Sequence, residues 1–254
     1  MTADAMAVLT GGDVIPAGEP MPDYSVFIPV YNEQEILADH ARRLTAYLDG
    51  LGRDYELIIG SNGSNDATAA IGRALAAELP ALTFFHLPRK GPGHAFAHAL
   101  GLFRGQALIT MDMDLAVELE FVPRALELLA THEVVVGSKR QSRQERSLTR
   151  VLGSGMFIAA ARVLLNLPFE DYSLGAKAFS RGVLERFAGA VDGHTAYITN
   201  LLFCARRSGA SMVELPVRCS DRRASRFNLG HEAAYRLAWA LRLFVQGRLL
   251  GRFP

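Results

Sequence analysis

Cysteine is scarce in this chain: Cys204 and Cys219 are the only two in 254 residues. They lack the short paired spacing of a metal site, and two thiols cannot staple a fold of this size. Both are read as free thiols of a reducing compartment. A surplus of either charge is also missing. The 27 Lys and Arg against 26 Asp and Glu leave a formal charge of +1. That excludes a general nucleic-acid binder, which needs a strong basic excess to grip phosphates. Long apolar runs are absent as well. The stretch from Gly193 to Ala205, among the longest without Asp, Glu, Lys or Arg, is too short to cross a bilayer. Any membrane contact is therefore expected to be peripheral. Residues 1–22 contain Asp4 and Asp13, no Lys or Arg, and no apolar core, so they do not read as a secretory signal. They are aperiodic and contain Gly and Pro, and are taken as a flexible arm. The chain shows no internal repeat and no low-complexity tract.

What is present is a regular alternation. Half the residues are apolar, and the length suffices for a sizeable core. Ser25-Val26-Phe27-Ile28 reads as a buried strand, followed by a helix from Glu33 to Leu51 with Ile36, Leu44 and Leu48 on one side. Tyr55 to Ile59 is a second strand, Ala67 to Leu79 a helix, and Leu82 to His86 a third strand. Gly91-Pro92-Gly93 opens a helix through Phe103. Ala107 to Met111 is a fourth strand and Glu133 to Gly137 a fifth. Strands alternating with helices imply an α/β fold with a mostly parallel central sheet flanked by helices. Right-handed crossovers then bring the strand C-termini to one edge, where ligands bind. Further on, Thr149 to Leu167 is a long apolar helix, with short segments around Ala176 to Ser180. Thr195 to Arg207 is a helix and Ser211 to Val217 a strand. The expected organisation is one domain over 23–230 and a terminal helix over 231–254, with a weak membrane-surface character. Arg236, Arg242 and Arg248 on that helix point in three directions and form no single basic face.

The fourth strand ends in Met111-Asp112-Met113-Asp114-Leu115. Side chains alternate along a strand, so Asp112 and Asp114 fall on one side. Two hard oxygen donors at a strand end suit Mg²⁺ or Mn²⁺ shared with a diphosphate. The first strand ends Pro29-Val30-Tyr31-Asn32-Glu33, and the second Ser61-Asn62-Gly63-Ser64-Asn65-Asp66-Ala67-Thr68. In the intervening sequence before the fourth strand, the basic loop Arg89-Lys90-Gly91-Pro92-Gly93 opens a helix, an arrangement able to hold an anion.

This set resembles the family-2 glycosyltransferases of GT-A fold, a Rossmann-like fold for nucleotide-diphospho-sugars. The nearest branch is the polyprenyl-phosphate, dolichol-phosphate mannose synthase-like one. The resemblance covers roughly residues 24–228 and implies a nucleotide-sugar donor, GDP- or UDP-linked, with Mg²⁺ or Mn²⁺. It implies that Pro29, Tyr31 and Glu33 line the nucleobase and ribose pocket, with Ser61, Asn62, Lys90 and Met113 contributing. Asp112 and Asp114 would engage the ribose and the metal-bound diphosphate. Gly137-Ser138-Lys139-Arg140 stands where the family has Gly-Ser-Arg, and Arg150 with Ser154 reproduces its Arg-x-x-x-Ser pair at the lipid phosphate. Asp171-Tyr172-Ser173-Leu174-Gly175-Ala176-Lys177 and Arg222-Arg223-Ala224-Ser225-Arg226 match its two later motifs. Lys139, Arg140, Arg150, Ser154, Arg222 and Arg226 thus form the implied acceptor-phosphate set.

The chain departs from the family at Ser61-Asn62, where an aspartate pair is usual, at Ala116 for Gln, and at Asn200 for Glu. Asn62 can both donate and accept, so it would read a base differently. The expected activity is inverting, metal-dependent transfer to a polyprenyl phosphate at the cytoplasmic membrane face, with no nucleic-acid partner. A phosphate acceptor, with second pKa near ~6, is already an oxyanion at pH 7 and needs no general base. A hydroxyl acceptor would need one, and Asp171 is the candidate. A catalytically weak nucleotide-binding relative is the other alternative. A nucleotidyltransferase would carry a Gly-rich basic loop after the first strand, which Pro29 to Glu33 lacks.

Overall fold

The computed structural model describes residues 21–139, 158–159, 161–172, 174–220 and 229–251. Arg140, Arg150, Ser154, Arg222 and Arg226 lie outside the described residues. The elements run β1 (Tyr24–Val30), α1 (Leu37–Asp49), β2 (Tyr55–Asn62), α2 (Thr68–Glu78), β3 (Leu82–Leu87), α3 (Pro92–Leu100), β4 (Ala107–Thr110), α4 (Phe121–Leu129) and β5 (Val134–Lys139). Then follow β6 (Lys177–Ser180), α5 (Arg181–Phe187), α6 (Tyr197–Arg207), β7 (Met212–Val217) and α7 (Leu229–Leu243), which continues as a π-helical turn over Phe244–Leu249.

The strands form one sheet in the order β3-β2-β1-β4-β6-β5-β7. β1 pairs in parallel with β2 and β4, β2 with β3, and β5 with β7, while β6 runs antiparallel to both β4 and β5. Both faces are covered, which is why the middles of the central strands read as short apolar runs. Val26, Ile28, Val30, Leu57, Ile59 and Ile109 pack on one face. The residues between them, Phe27, Ile58 and Leu108, join Val134 and Val136 on the other. Each such buried side chain contributes about 1.5–3 kcal/mol. Pro29 sits past the last β1 residue paired with β4, where a missing N–H costs no ladder bond.

Several boundaries differ from expectation for identifiable reasons. The first helix begins at Leu37, not Glu33, because residues 33–36 are held as a turn: Glu33 O accepts from both Ile36 N and Leu37 N. α4 was not anticipated. Its Pro123 reads as a breaker, yet it falls in the first helical turn, where its N–H would have no partner anyway. The apolar helix ends at Leu165 rather than Leu167, since Asn166 adopts φ 55° and Pro168 follows. α7 packs its Ala240 and Leu243 inward, and Trp239 Nε1 donates to Asn200 Oδ1 at 2.6 Å. Asn200, at a position where the family has Glu, is thus a buried clamp; its Nδ2 donates to Ala190 O at 2.9 Å.

Candidate active site

Strand order reverses at β1: β2 lies on one side and β4 on the other. The C-terminal ends of these two strands flank a topological switch point, the place where open α/β sheets bind ligands. β1 delivers Tyr31, Asn32 and Glu33 there, and β4 delivers Asp112 and Asp114.

The loop after β1 is knitted to the loop after β2. Asn32 N donates to Ser64 Oγ at 3.1 Å, Asn32 Nδ2 donates to Asn65 Oδ1 at 2.8 Å, Asn65 N donates to Asn32 Oδ1 at 2.9 Å, and Glu33 N donates to Thr68 Oγ1 at 2.8 Å. Asn32 takes φ 54°, a left-handed conformation that asparagine tolerates. The Lys90 ammonium lies 4.0 Å from the centre of the Tyr31 ring. Such a pair leaves an aromatic surface and a cation together at the crevice wall.

Ser61 and Asn62 do not face that crevice. Ser61 is fully buried, its Oγ shared with Ser64 Oγ at 2.9 Å and His86 Nδ1 at 3.0 Å. Asn62 is also buried; its Nδ2 donates to Val30 O at 2.9 Å and its Oδ1 accepts from Gly91 N at 3.1 Å. The role expected for these two side chains at the base thus competes with a structural one. Asn62 is a brace between the segments carrying Tyr31 and Lys90. Met113 faces inward as well. Its side chain is buried, and its carbonyl is 2.8 Å from His40 Nδ1 on α1.

The anion site expected at the start of α3 is occupied by protein. Gly93 N donates to His194 O at 3.0 Å and His94 N to Gly193 O at 3.2 Å. A Cβ on Gly93 would collide with the Asp192 carbonyl, so only glycine allows the two loops to meet. The N–H groups that would have held an anion are thereby spent. Lys90 remains the loop's free-standing contribution to the crevice wall.

The Asp pair lies just beyond β4, because β6 offers no partner past Lys177. The alternation nevertheless persists: Met111, Met113 and Leu115 are buried, while Asp112 and Asp114 face outward. Leu115 N donates to Asp112 O at 3.2 Å, and Leu115 takes φ 48°, so the turn is tight. Asp112 Oδ2 accepts from Gly175 N at 2.9 Å, and Asp114 Oδ1 from Ala116 N at 3.0 Å. Each carboxylate therefore spends one oxygen on the backbone and keeps the other. Asp112 opens to solvent on one side and is walled by protein on the rest. That desolvation holds its carboxyl above the ordinary range, with Asp114 adding to the effect, against the pull of the Gly175 N–H, Lys177 and Lys139. Two adjacent carboxylates with one spare oxygen each fit a hard divalent cation completed by water and diphosphate oxygens. Among the described residues no cluster of three or more His, Cys, Asp or Glu is placed to hold a metal by itself.

The segment 171–177 closes this side. Asp171 Oδ2 accepts from Lys139 N at 3.3 Å, placing the acceptor-side Lys139 and Asp171 together at the end of β5. Lys177 was matched in sequence only as the last residue of a motif. In the fold it is 0% exposed, and its ammonium donates to Leu174 O at 2.7 Å, Ala176 O at 3.3 Å and Gly137 O at 3.4 Å. It holds the turn that aims the Gly175 N–H at Asp112. His40 gave no sequence signal, since its contact to Met113 bridges distant parts of the chain.

A crevice of this kind, at the switch point of a mostly parallel sheet and fronted by an Asp-x-Asp turn, defines a GT-A nucleotide-sugar transferase fold. The sequence model described as glycosyl transferase family 2 matches residues 25–187, and the chain belongs to that family. Glycosyltransferase AglD of Haloferax volcanii is 30% identical over 203 residues, which is 77% of this chain and 32% of that protein. An undecaprenyl-phosphate 4-deoxy-4-formamido-L-arabinose transferase of Sodalis glossinidius is 32% identical over 201 residues, 78% of this chain and 60% of that one. The chain thus spans about a third of the first relative and 60% of the second. Among solved structures, glucosyl-3-phosphoglycerate synthase from Mycobacterium tuberculosis in complex with UDP superposes with a TM-score of 0.65 at 23% identity, over 95% of this chain and 83% of that one. The same synthase with Mn²⁺ and UDP-glucose gives 0.60 at 20% identity, over 95% and 81%. At these identities the likeness establishes the fold. No helix among the described residues is long and apolar enough to cross a membrane.

Proposed function

We propose that this chain is an inverting, metal-dependent glycosyltransferase that moves a sugar from a nucleoside-diphosphate donor to a polyprenyl phosphate. The observation that carries the reading is the Asp112–Asp114 turn at the β1/β4 switch point, with one oxygen of each carboxylate left for a ligand. Relatedness to a transferase named for undecaprenyl phosphate supports the acceptor class. The Mn²⁺ and UDP-glucose bound by a structural neighbour support the cofactor and donor class.

On this reading the nucleoside stacks against Tyr31, with Lys90 above the ring and Pro29 and Glu33 at its edges. Asp112 and Asp114 would hold a divalent cation, Mg²⁺ or Mn²⁺, which would offset negative charge on the departing diphosphate. The acceptor phosphate oxygen attacks the anomeric carbon from the face opposite the diphosphate. A new C–O bond forms as the bond to the diphosphate oxygen breaks, and the configuration inverts. The attacking group is already an oxyanion, so no side chain has to remove a proton. Lys139 is the described member of the cationic set that meets this phosphate. Arg140, Arg150, Ser154, Arg222 and Arg226 complete it as proposals from the sequence. The protein works at the cytoplasmic face of a membrane as a peripheral enzyme.

The test is transfer of radiolabelled sugar from UDP- and GDP-linked donors into the organic phase with undecaprenyl phosphate. Metal-dependent label in the lipid, lost in Asp112→Asn and Asp114→Asn, is the expected result. Label that appears instead in a hydroxyl acceptor, and vanishes in Asp171→Asn, would replace the phosphate reading with general-base chemistry at Asp171.

A further inference from the structure

Three arginines line one cavity that shares no residue with the Asp112 crevice. The cavity holds about 240 Å³ and is lined by Leu165, Asn166, Phe203, Arg206, Arg207 and Arg248. Arg206 and Arg207 come from the last turn of α6, and Arg248 from the π-helical turn that ends α7. Arg248 is fixed at the rim, its Nη1 donating at 3.2 Å to both Val163 O and Leu164 O. The ion pairs of the described residues fall on other arginines, such as Arg42, Arg162 and Arg181, rather than on Arg206 or Arg248. The terminal helix alone scatters its arginines; this cluster exists only because two helices and the 163–166 segment converge.

The rim of the cavity is apolar and open to solvent. Val163, whose carbonyl receives Arg248, is 73% exposed, and Leu250, two residues beyond Arg248, is 57% exposed. From there a stripe runs back along α7: Val245 at 39%, Leu241 at 53% and Leu237 at 39%. These positions are four apart and share one face, whereas Ala240 and Leu243 on another face are buried. Single exposed leucines are ordinary, but an aligned stripe leading to a cationic pocket is not. Stripe and cations together match a helix lying in the headgroup layer of a bilayer.

We propose that this pocket binds the phosphate of an anionic phospholipid headgroup, seating the protein on a membrane through Val163, Leu237, Leu241, Val245 and Leu250. Guanidinium groups suit phosphate oxygens because their paired N–H donors match them two at a time. The lipid is favoured over free phosphate because the exposed apolar rim gives a hydrated anion nothing, while it gives acyl chains a surface. The site extends the lipid-acceptor reading but does not require it, since membrane binding can be read with no turnover.

The experiment is flotation of the full chain with phosphatidylcholine vesicles, with and without phosphatidylglycerol. Binding only to the anionic vesicles, weakened by 1 M salt, is the expected result. Arg206→Gln should weaken it about fivefold. Leu241→Ser with Val245→Ser should weaken it at unchanged lipid charge. Arg248→Gln also removes bonds to Val163 and Leu164, so Arg206→Gln, checked by an unchanged melting temperature, is the deciding variant. Equal binding to neutral vesicles, no flotation, or flotation indifferent to Arg206→Gln would overturn the proposal. So would thermal stabilisation by inorganic phosphate without flotation. Flotation that persists while no sugar enters lipid would sink the acceptor reading alone. Sugar transfer to a short-chain acceptor without flotation would sink this proposal alone.

Discussion

Gly175 donates its backbone N–H to Asp112 Oδ2 at 2.9 Å, and a side chain at residue 175 would occupy the space of that carboxylate. The contact joins residues on two strand ends, the turn after β4 and the turn before β6. It decides where the first of the two candidate metal-binding carboxylates points.

Gly175→Ala is therefore expected to displace Asp112 while leaving the sheet intact. Misplacing a catalytic group by about 1 Å can cost on the order of 100-fold in rate, and a loss of that size is predicted here. Mn²⁺-dependent thermal stabilisation by UDP or GDP should fall in parallel. Full nucleotide binding with the rate unchanged would show that Asp112 does not need this bond.

Lys177 is the second support of the same turn. Its buried ammonium serves the carbonyls of Leu174, Ala176 and Gly137 and lies close enough to Asp112 to favour the charged carboxylate. Lys177→Met keeps the length of the side chain and removes the donors. Leaving such carbonyls without their donor costs about 1–3 kcal/mol. A lower urea midpoint is expected, together with weaker metal-dependent nucleotide binding. An unchanged midpoint would mean that water replaces the ammonium without loss.

The mostly parallel sheet was legible because its central strands carry apolar cores, residues 26–28, 57–59 and 107–109, and the turns between them are polar. The Asp pair was legible because period two survives past the end of β4. The remainder depended on contacts that spacing cannot report. Asn62 looked like a base reader until Val30 O and Gly91 N claimed both ends of its amide. The start of α3 looked like an anion site until the carbonyls of Gly193 and His194, about a hundred residues along, filled it. Arg248 looked isolated on its own helix and proved to be one of three arginines at one cavity. In each case the deciding partner lies far along the chain, where local spacing gives no sign of it.

Two histidines on α3 give the fold a pH dependence of definite sign. Burial, with Arg89 and His194 nearby, holds His94 below the usual histidine value despite the opposing influence of Asp192, and burial does the same for His98. As pH falls through about 6.5 the unfolded chain takes up protons that these rings resist in the fold. The unfolded state then binds more protons, so this contribution to stability is complete above that value and shrinks below it. Urea midpoints should drop between pH 7.5 and pH 5.5, and less steeply in His98→Gln. A midpoint that rises on acidification would contradict the assignment.

Asn62→Asp puts back the residue type usual in the family and separates its two candidate roles. As a brace, Asn62 needs an acceptor toward Gly91 N and a donor toward Val30 O. An aspartate keeps the first and sets a carboxylate oxygen against the Val30 carbonyl. The lost donor and the facing oxygens should cost about 1–3 kcal/mol at neutral pH. Protonation restores the donor, so the penalty should be smaller at pH 5 than at pH 8. Lys90 and Tyr31, which the brace holds in register, should then bind nucleotide more weakly at neutral pH. The opposite result, tighter nucleotide binding with stability unchanged, would mean that the side chain at 62 turns out to meet the base. In that case the bonds to Val30 and Gly91 give way to contact with the base.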